Sequence, residues 1–171
     1  MKNYSISAKK QKELFKKYPE LFEYALPPYK GKGDHPITKY HIECWKGWLG
    51  LIEKLSEELA AIDTEKVVRV TQIKQKFAGL RYYITFLHGK EPSYKEEISK
   101  LIREYESFSF KVCEACGDPG SRAKEDTGYL LTLCDACLKK KDFEEYKRQK
   151  NTKPVIVDLP PRRVRHDHYV D

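Results

Sequence analysis

The chain has 171 residues and a formal net charge of +7, from 33 lysines and arginines against 26 aspartates and glutamates. That length buries one substantial core and leaves room for a small appended module, and the charge favours a polyanionic or acidic partner. No apolar run approaches the roughly 20 residues of a membrane span, and Met1–Ser5 leads into lysines rather than an apolar leader, so the sequence predicts a protein of the cytoplasm with no membrane association.

Residues 7–26 predict two short helical pieces, with Ser7 as an N-cap, Pro19 at the second start, and Leu14, Phe15, Tyr18, Leu21, Phe22 and Leu26 apolar. Pro27-Pro28 stops them. Gly31, Gly33, Asp34 and Pro36 make Pro27 to Ile42 a long loop. Trp45, Trp48, Leu51, Ile52, Leu55, Leu59 and Ile62 then recur at helical spacing, so Cys44 to Ile62 reads as one amphipathic helix.

The β-branched run Val67 to Ile73 begins a strand, and Leu80, Tyr82, Ile84 and Phe86 alternate with Arg81, Tyr83 and Thr85 in a second. Between them Ala78-Gly79 reads as a hairpin turn in which Gly79 supplies the unusual backbone angle, or as a kink in one long strand. Ser93 and Glu96 form a capping box for a further helix, whose stripe is Tyr94, Ile98, Leu101, Ile102, Tyr105 and Phe108. Helix, strand, strand, helix predicts an α+β body with two helices on one face of a small antiparallel sheet.

Two cysteine clips follow, Cys113-x2-Cys116 and Cys134-x2-Cys137, with seventeen residues between them. Four thiolates in paired clips suit one Zn²⁺ in a closed tetrahedron with bonds of about 2.3 Å, which leaves no position for substrate and points to a structural ion. Gly117 relieves the knuckle backbone, Asp118 to Leu133 predicts a hairpin, and the second clip opens a helix at Asp135. The four sites Cys113, Cys116, Cys134 and Cys137 are thus the metal ligands, and Cys44 is left over. Beyond them Pro154, Pro160 and Pro161 predict an extended C-terminal arm, and Lys139 to Arg165 holds ten basic residues against four acidic. The organisation is therefore residues 1–42, an N-terminal helical segment and loop; 43–112, the helix-hairpin-helix body; 113–150, the finger; and 151–171, a basic extended tail.

Asp126-Thr127-Gly128-Tyr129, then Leu133-Cys134-Asp135-Ala136-Cys137, with the spacing of the clips, resemble the GATA-type fingers over residues 113–150. The resemblance implies a treble clef, a topology used for DNA, for proteins and for structure alone. Glu144 and Glu145 on the helix, and a hairpin without tryptophan, depart from that family's DNA-reading pattern. The larger part of the chain resembles small proteins of phage and prophage genomes. The resemblance is carried by Glu43-Cys44-x2-Gly47-Trp48-x2-Leu51-Ile52, by Gln72 to Tyr83 and by the cysteine quartet, with Ala78 where glycine is expected. It implies phage-type origin and residence in a host cytoplasm.

Lys74, Lys76 and Arg81 flank the turn and Tyr83 shares a strand face with Arg81, a pattern suited to single-stranded nucleic acid or phosphates and equally to a solvated outer face. Lys139 and Lys140 with Arg162 and Arg163 suit a second set of phosphate contacts and equally the solvated side of a helix. His35, His41 and Cys44 are spaced loosely for a second metal, and a buried cysteine explains Cys44 as well. With no phosphate-binding glycine loop, nucleophile elbow or acidic metal cluster, the sequence predicts no enzyme. It predicts a zinc-finger binding protein contacting nucleic acid through finger and tail, or else a non-enzymatic inhibitor or adaptor of a host defence or nucleic-acid-processing complex.

Overall fold

A computed structural model of the chain describes residues 4–27, 35–124, 130–139 and 155–156. Helix α1 (Ala8–Lys17) begins as the sequence requires, with the Ser7 side chain accepting from the Lys10 amide, and buries Leu14 and Phe15. The second helical piece at Pro19 does not form. Only a single 3₁₀ turn, Glu23–Ala25, follows; Leu21 and Phe22 enter the core from irregular backbone and Tyr24 from the turn.

The expected long loop is interrupted by a short helix, α2 (Pro36–Tyr40), with Pro36 at its start and Ile37 fully buried. Strand β1 (Ile42–Glu43) comes next. The following helix, α3, runs Leu49–Ile62 rather than from Cys44. Residues 45–47 are held out of it by other partners: Lys46 donates its amide to Tyr4, and Gly47 donates to Glu114 of the cysteine clip. Trp45 consequently leaves the apolar stripe and stacks on Tyr4, at 4.9 Å between ring centroids. Trp48 stays in the core, fully buried, with its indole N–H donating to the carbonyl of Val112.

Strands β2 (Val68–Lys76) and β3 (Gly79–Phe86) form the antiparallel hairpin, with a bulge between Val70 and Gln72, and β1 adds in parallel to β2 so that the sheet order is β1-β2-β3. Lys76 pairs with Gly79, so the turn is the two residues Phe77 and Ala78, at φ 54° and 63°. This corrects the role assigned to Gly79. The turn's left-handed angles belong to two residues with side chains, and at Gly79 a Cβ would overlap the ring of Phe110, which would have to shift.

Helix α4 (Lys95–Ser109) starts after Tyr94 with no side-chain cap, so the Ser93–Glu96 capping box is absent. Tyr94 is instead drawn to Asp63, donating its hydroxyl to a carboxylate that also accepts the Val67 and Val68 amides. α3 supplies Ile52, Leu55 and Leu59 to the core against Val68, Val70, Ile73 and Leu80, all fully buried. α4 adds Ile98 and then runs along the free edge of β3, where the Ser109 hydroxyl accepts the Leu80 amide and the Glu106 carboxylate accepts that of Tyr82. An edge strand with unpaired amides is a template for another chain, and α4 closes it. The body is α+β, a small mixed sheet packed by helices, and among the described residues no helix is long and apolar enough to cross a membrane.

Candidate metal centre and the basic face beside it

Cys113 and Cys116 sit on a turn closed by the Gly117 amide donating to the Cys113 carbonyl, with Gly117 at φ 90°. Strands β4 (Ser121–Lys124) and β5 (Leu130–Leu133) form the hairpin, and helix α5 (Asp135–Leu138) starts at Cys134 and carries Cys137. Strand β6 (Val155–Ile156) pairs antiparallel to β4, giving a second sheet of order β5-β4-β6. Of the expected arm this segment alone is described. Lys140, Arg162 and Arg163 lie outside the described residues, while Lys139 is exposed at the end of α5.

The ligand atoms of the four cysteines lie within 4.8 Å of one another, and the Cys116 and Cys134 sulfurs are 3.6 Å apart. A tetrahedron with bonds of about 2.3 Å has edges of about 3.8 Å, so small side-chain rotations close these thiols on a single ion. Cys113 and Cys137 are buried, Cys134 is half-buried and Cys116 is exposed, so the site lies at the surface with one side against the finger's own small core. Desolvation pushes the Cys116 and Cys137 thiols up. It opposes ionisation of Cys134 too, but hydrogen bonds from the Cys137 amide and the neighbouring thiols outweigh it and hold Cys134 below the ordinary value. Metal binding must therefore displace protons from thiols.

His35, His41 and Cys44 are not brought together, since among the described residues the quartet is the one group of metal-ligating side chains gathered for an ion. The His35 ring stacks on Tyr24 at 3.9 Å, His41 bonds the Ile37 carbonyl, and Cys44 is buried in the body, its thiol raised well above the ordinary value by desolvation and then by the Glu114 and Glu43 charges.

Glu114, between the first two ligands, ties the finger to the body. Its amide donates to Thr132, its carbonyl accepts from Gly47, and its buried carboxylate, pushed up to about 8 by desolvation, accepts the Thr132 amide at 2.7 Å. The Thr132 hydroxyl donates to Ala78 in the hairpin turn, and the Gln75 amide group donates to Leu130. A Cβ on Gly47 would meet backbone of Cys113 and Glu114, so the contact requires glycine.

The register pairs Lys74 with Arg81 and Gln72 with Tyr83, which puts Lys74, Lys76, Arg81 and Tyr83 on one outer face of the hairpin, opposite the core residues Ile73, Leu80 and Tyr82. The Lys74 ammonium lies 5.5 Å from the Tyr83 ring centroid. Arg81 is more enclosed than its sequence position implies: it donates to the Leu80 carbonyl and lies 3.9 Å from the Glu106 carboxylate. Two contacts had no local sequence signal. The Phe110 ring, just past α4, is flanked by Arg81 at 5.9 Å and by Arg122 of β4 at 3.8 Å. Their joining depends on the finger folding back onto the hairpin.

No protein-family model matches the chain, and no curated protein or solved structure is significantly similar to it.

Proposed function

We propose that this chain is a non-enzymatic, zinc-stapled nucleic-acid-binding protein of phage type. The observation that carries the reading is the approach of Arg81 and Arg122 to the one Phe110 ring, which joins the basic face of the body hairpin to the first strand of the finger. Four thiol donors with no oxygen or nitrogen ligand among them suit Zn²⁺, and a closed set supplies folding energy rather than a reactive water. The order of knuckle, hairpin and clip-bearing helix supports a treble clef. On this reading the ion sets the finger's shape, and the finger's contacts through Gly47, Gln75 and Ala78 aim β4 along the hairpin. Cations on such a face neutralise phosphates and release counterions, which makes affinity fall steeply with salt.

The test is titration of the zinc-loaded full chain with labelled duplex and single-stranded DNA and RNA at several salt concentrations. Binding that weakens as salt rises, and weakens further in Lys74→Glu or Arg122→Glu, is the expected result. Absence of binding even at low salt overturns the reading, and retention of a host protein complex from nuclease-treated lysate would then favour the adaptor instead.

A further inference from the structure

Phe77 occupies a position that local energetics disfavour. Its φ of 54° lies in the left-handed region, where a two-residue hairpin turn selects Asn, Asp or Gly, and a bulky aromatic is a clear outlier. Its partner in the turn, Ala78, has a reason to be there, because its methyl is buried and its carbonyl accepts the Thr132 hydroxyl. Phe77 has no such reason, since the residue is 55% exposed. Strained residues retained without a packing reward cluster at ligand-binding sites.

The surroundings point to one kind of ligand. The Lys76 ammonium lies 5.6 Å from the Phe77 ring centroid, and Lys74 stands in the same relation to Tyr83 one register step along the same face. Beyond the turn, the Phe110 ring centroid lies 5.9 Å from the Arg81 guanidinium and 3.8 Å from that of Arg122. Cation and ring thus alternate from the hairpin face, round its tip, to the finger strand. Among the described residues, the opposing charges on the hairpin face are Glu43, the register partner of Lys74, which accepts from Gln72, and Glu106, beside Arg81 and turned to the β3 edge. Among the described residues of the hairpin face, Lys74, Lys76 and Arg81 outnumber these two.

We propose that this face is a track for single-stranded nucleic acid, with Phe77 as a base-stacking ring at the hairpin tip and Lys74, Lys76 and Arg122 as phosphate contacts. The inference rests on the nucleic-acid reading above and narrows it. A duplex hides its base faces in the stack, so interleaved rings serve only a strand whose bases are free, whereas cations alone serve either form.

The test is fluorescence anisotropy with zinc-loaded full chain, using a labelled mixed-sequence single strand, as DNA and as RNA, and the corresponding duplex. The single strand should bind more tightly than the duplex, and Phe77→Ala should weaken single-strand binding by about five- to a hundredfold, the range for loss of one stacked base, while leaving duplex binding unchanged. Phe77→Asn keeps a residue suited to the turn and controls for folding; it should bind as weakly as Phe77→Ala. Single-strand affinity unchanged in both variants, while Lys139→Glu abolishes it, would overturn the track and leave the broader nucleic-acid reading standing. Failure to bind any nucleic acid at low salt would overturn both.

Discussion

The Glu106 carboxylate accepts the Tyr82 backbone amide at 2.9 Å, so a side chain of α4 completes the hydrogen bonding of an edge strand. Desolvation raises the Glu106 carboxyl above its ordinary value of 4.5, with the Tyr82 amide and Arg81 only partly opposing it. The unfolded chain therefore ionises first as pH rises, and the site's contribution to stability, full below 4.5, falls as pH climbs through the folded value. Glu106→Gln keeps the acceptor without the charge. It should match the parent chain in acid and gain on it towards neutral pH, measured by urea unfolding from pH 5 to 8. Glu106→Ala should lie about 1–3 kcal/mol below Glu106→Gln at every pH, because it leaves a buried amide without a partner. A constant gap between parent and Gln variant would contradict this account.

Phe77 gives a stability prediction separate from its binding role. An L-residue in the left-handed region costs about 1–2 kcal/mol, and Asn tolerates that region better than an aromatic. Phe77→Asn should therefore stabilise the protein by about 1 kcal/mol, read from the urea midpoint at unchanged slope. Destabilisation would mean that the ring packs more productively than its exposure indicates.

Those two residues also mark what the sequence could and could not disclose. The hairpin, α3, α4 and the cysteine clips each announce themselves through a local period or spacing, and the strand alternation alone puts Lys74, Lys76, Arg81 and Tyr83 on one face. Helix α2 is hidden because five residues are too short to show a helical period. Trp45 continues the apolar spacing of α3, but tertiary contacts to Tyr4 and Glu114 claim that backbone, so the helix starts later than its period implies. Gly79 was credited with the turn's angles when its real constraint is a ring 31 residues later in the chain. Glu106 and Ser109 read as ordinary helix residues until α4 is laid against β3. Phe110 and Arg122 become one site only when the finger docks. What was missed depends on neighbours distant in sequence.

Docking itself is testable at Gly47. The added methyl of Gly47→Ala would meet Glu114 backbone atoms at 2.7 Å, and backbone cannot swing aside as a side chain can. We expect a loss of about 1–3 kcal/mol, a red shift of Trp48 emission as its bond to Val112 loosens, and faster amide exchange at Gly47 and Glu114. Gly50→Ala is the contrasting variant. Nothing lies within 4 Å of that position in α3, so alanine should stabilise the helix by up to about 1 kcal/mol. Equal effects of the two substitutions would argue against a glycine-dependent contact between body and finger.

The five cysteines should react in two classes. Among the described residues, the buried apolar side chains around the quartet are few, chiefly Ala115, Ala123, Leu131, Leu133 and Leu138. A core this small does not fold a module unaided, so the ion should carry the finger's stability. Elemental analysis should find about one zinc per chain, and a thiol reagent should find the native protein nearly inert. A strong chelator should release four reactive thiols, with Cys44 appearing only in denaturant because it is buried in the separate core of the body. Acid should act as the chelator does. Thiolates must hold the metal, so the ion's contribution is present at neutral pH and is lost as falling pH protonates the sulfurs. Cys134→Ser should lose the ion and, with it, the exchange protection of Thr132, whose amide bonds Glu114 within the finger and whose hydroxyl reaches the hairpin turn of the body. A metal-free finger that keeps Thr132 protected would show that hydrogen bonding, not the ion, holds the module together.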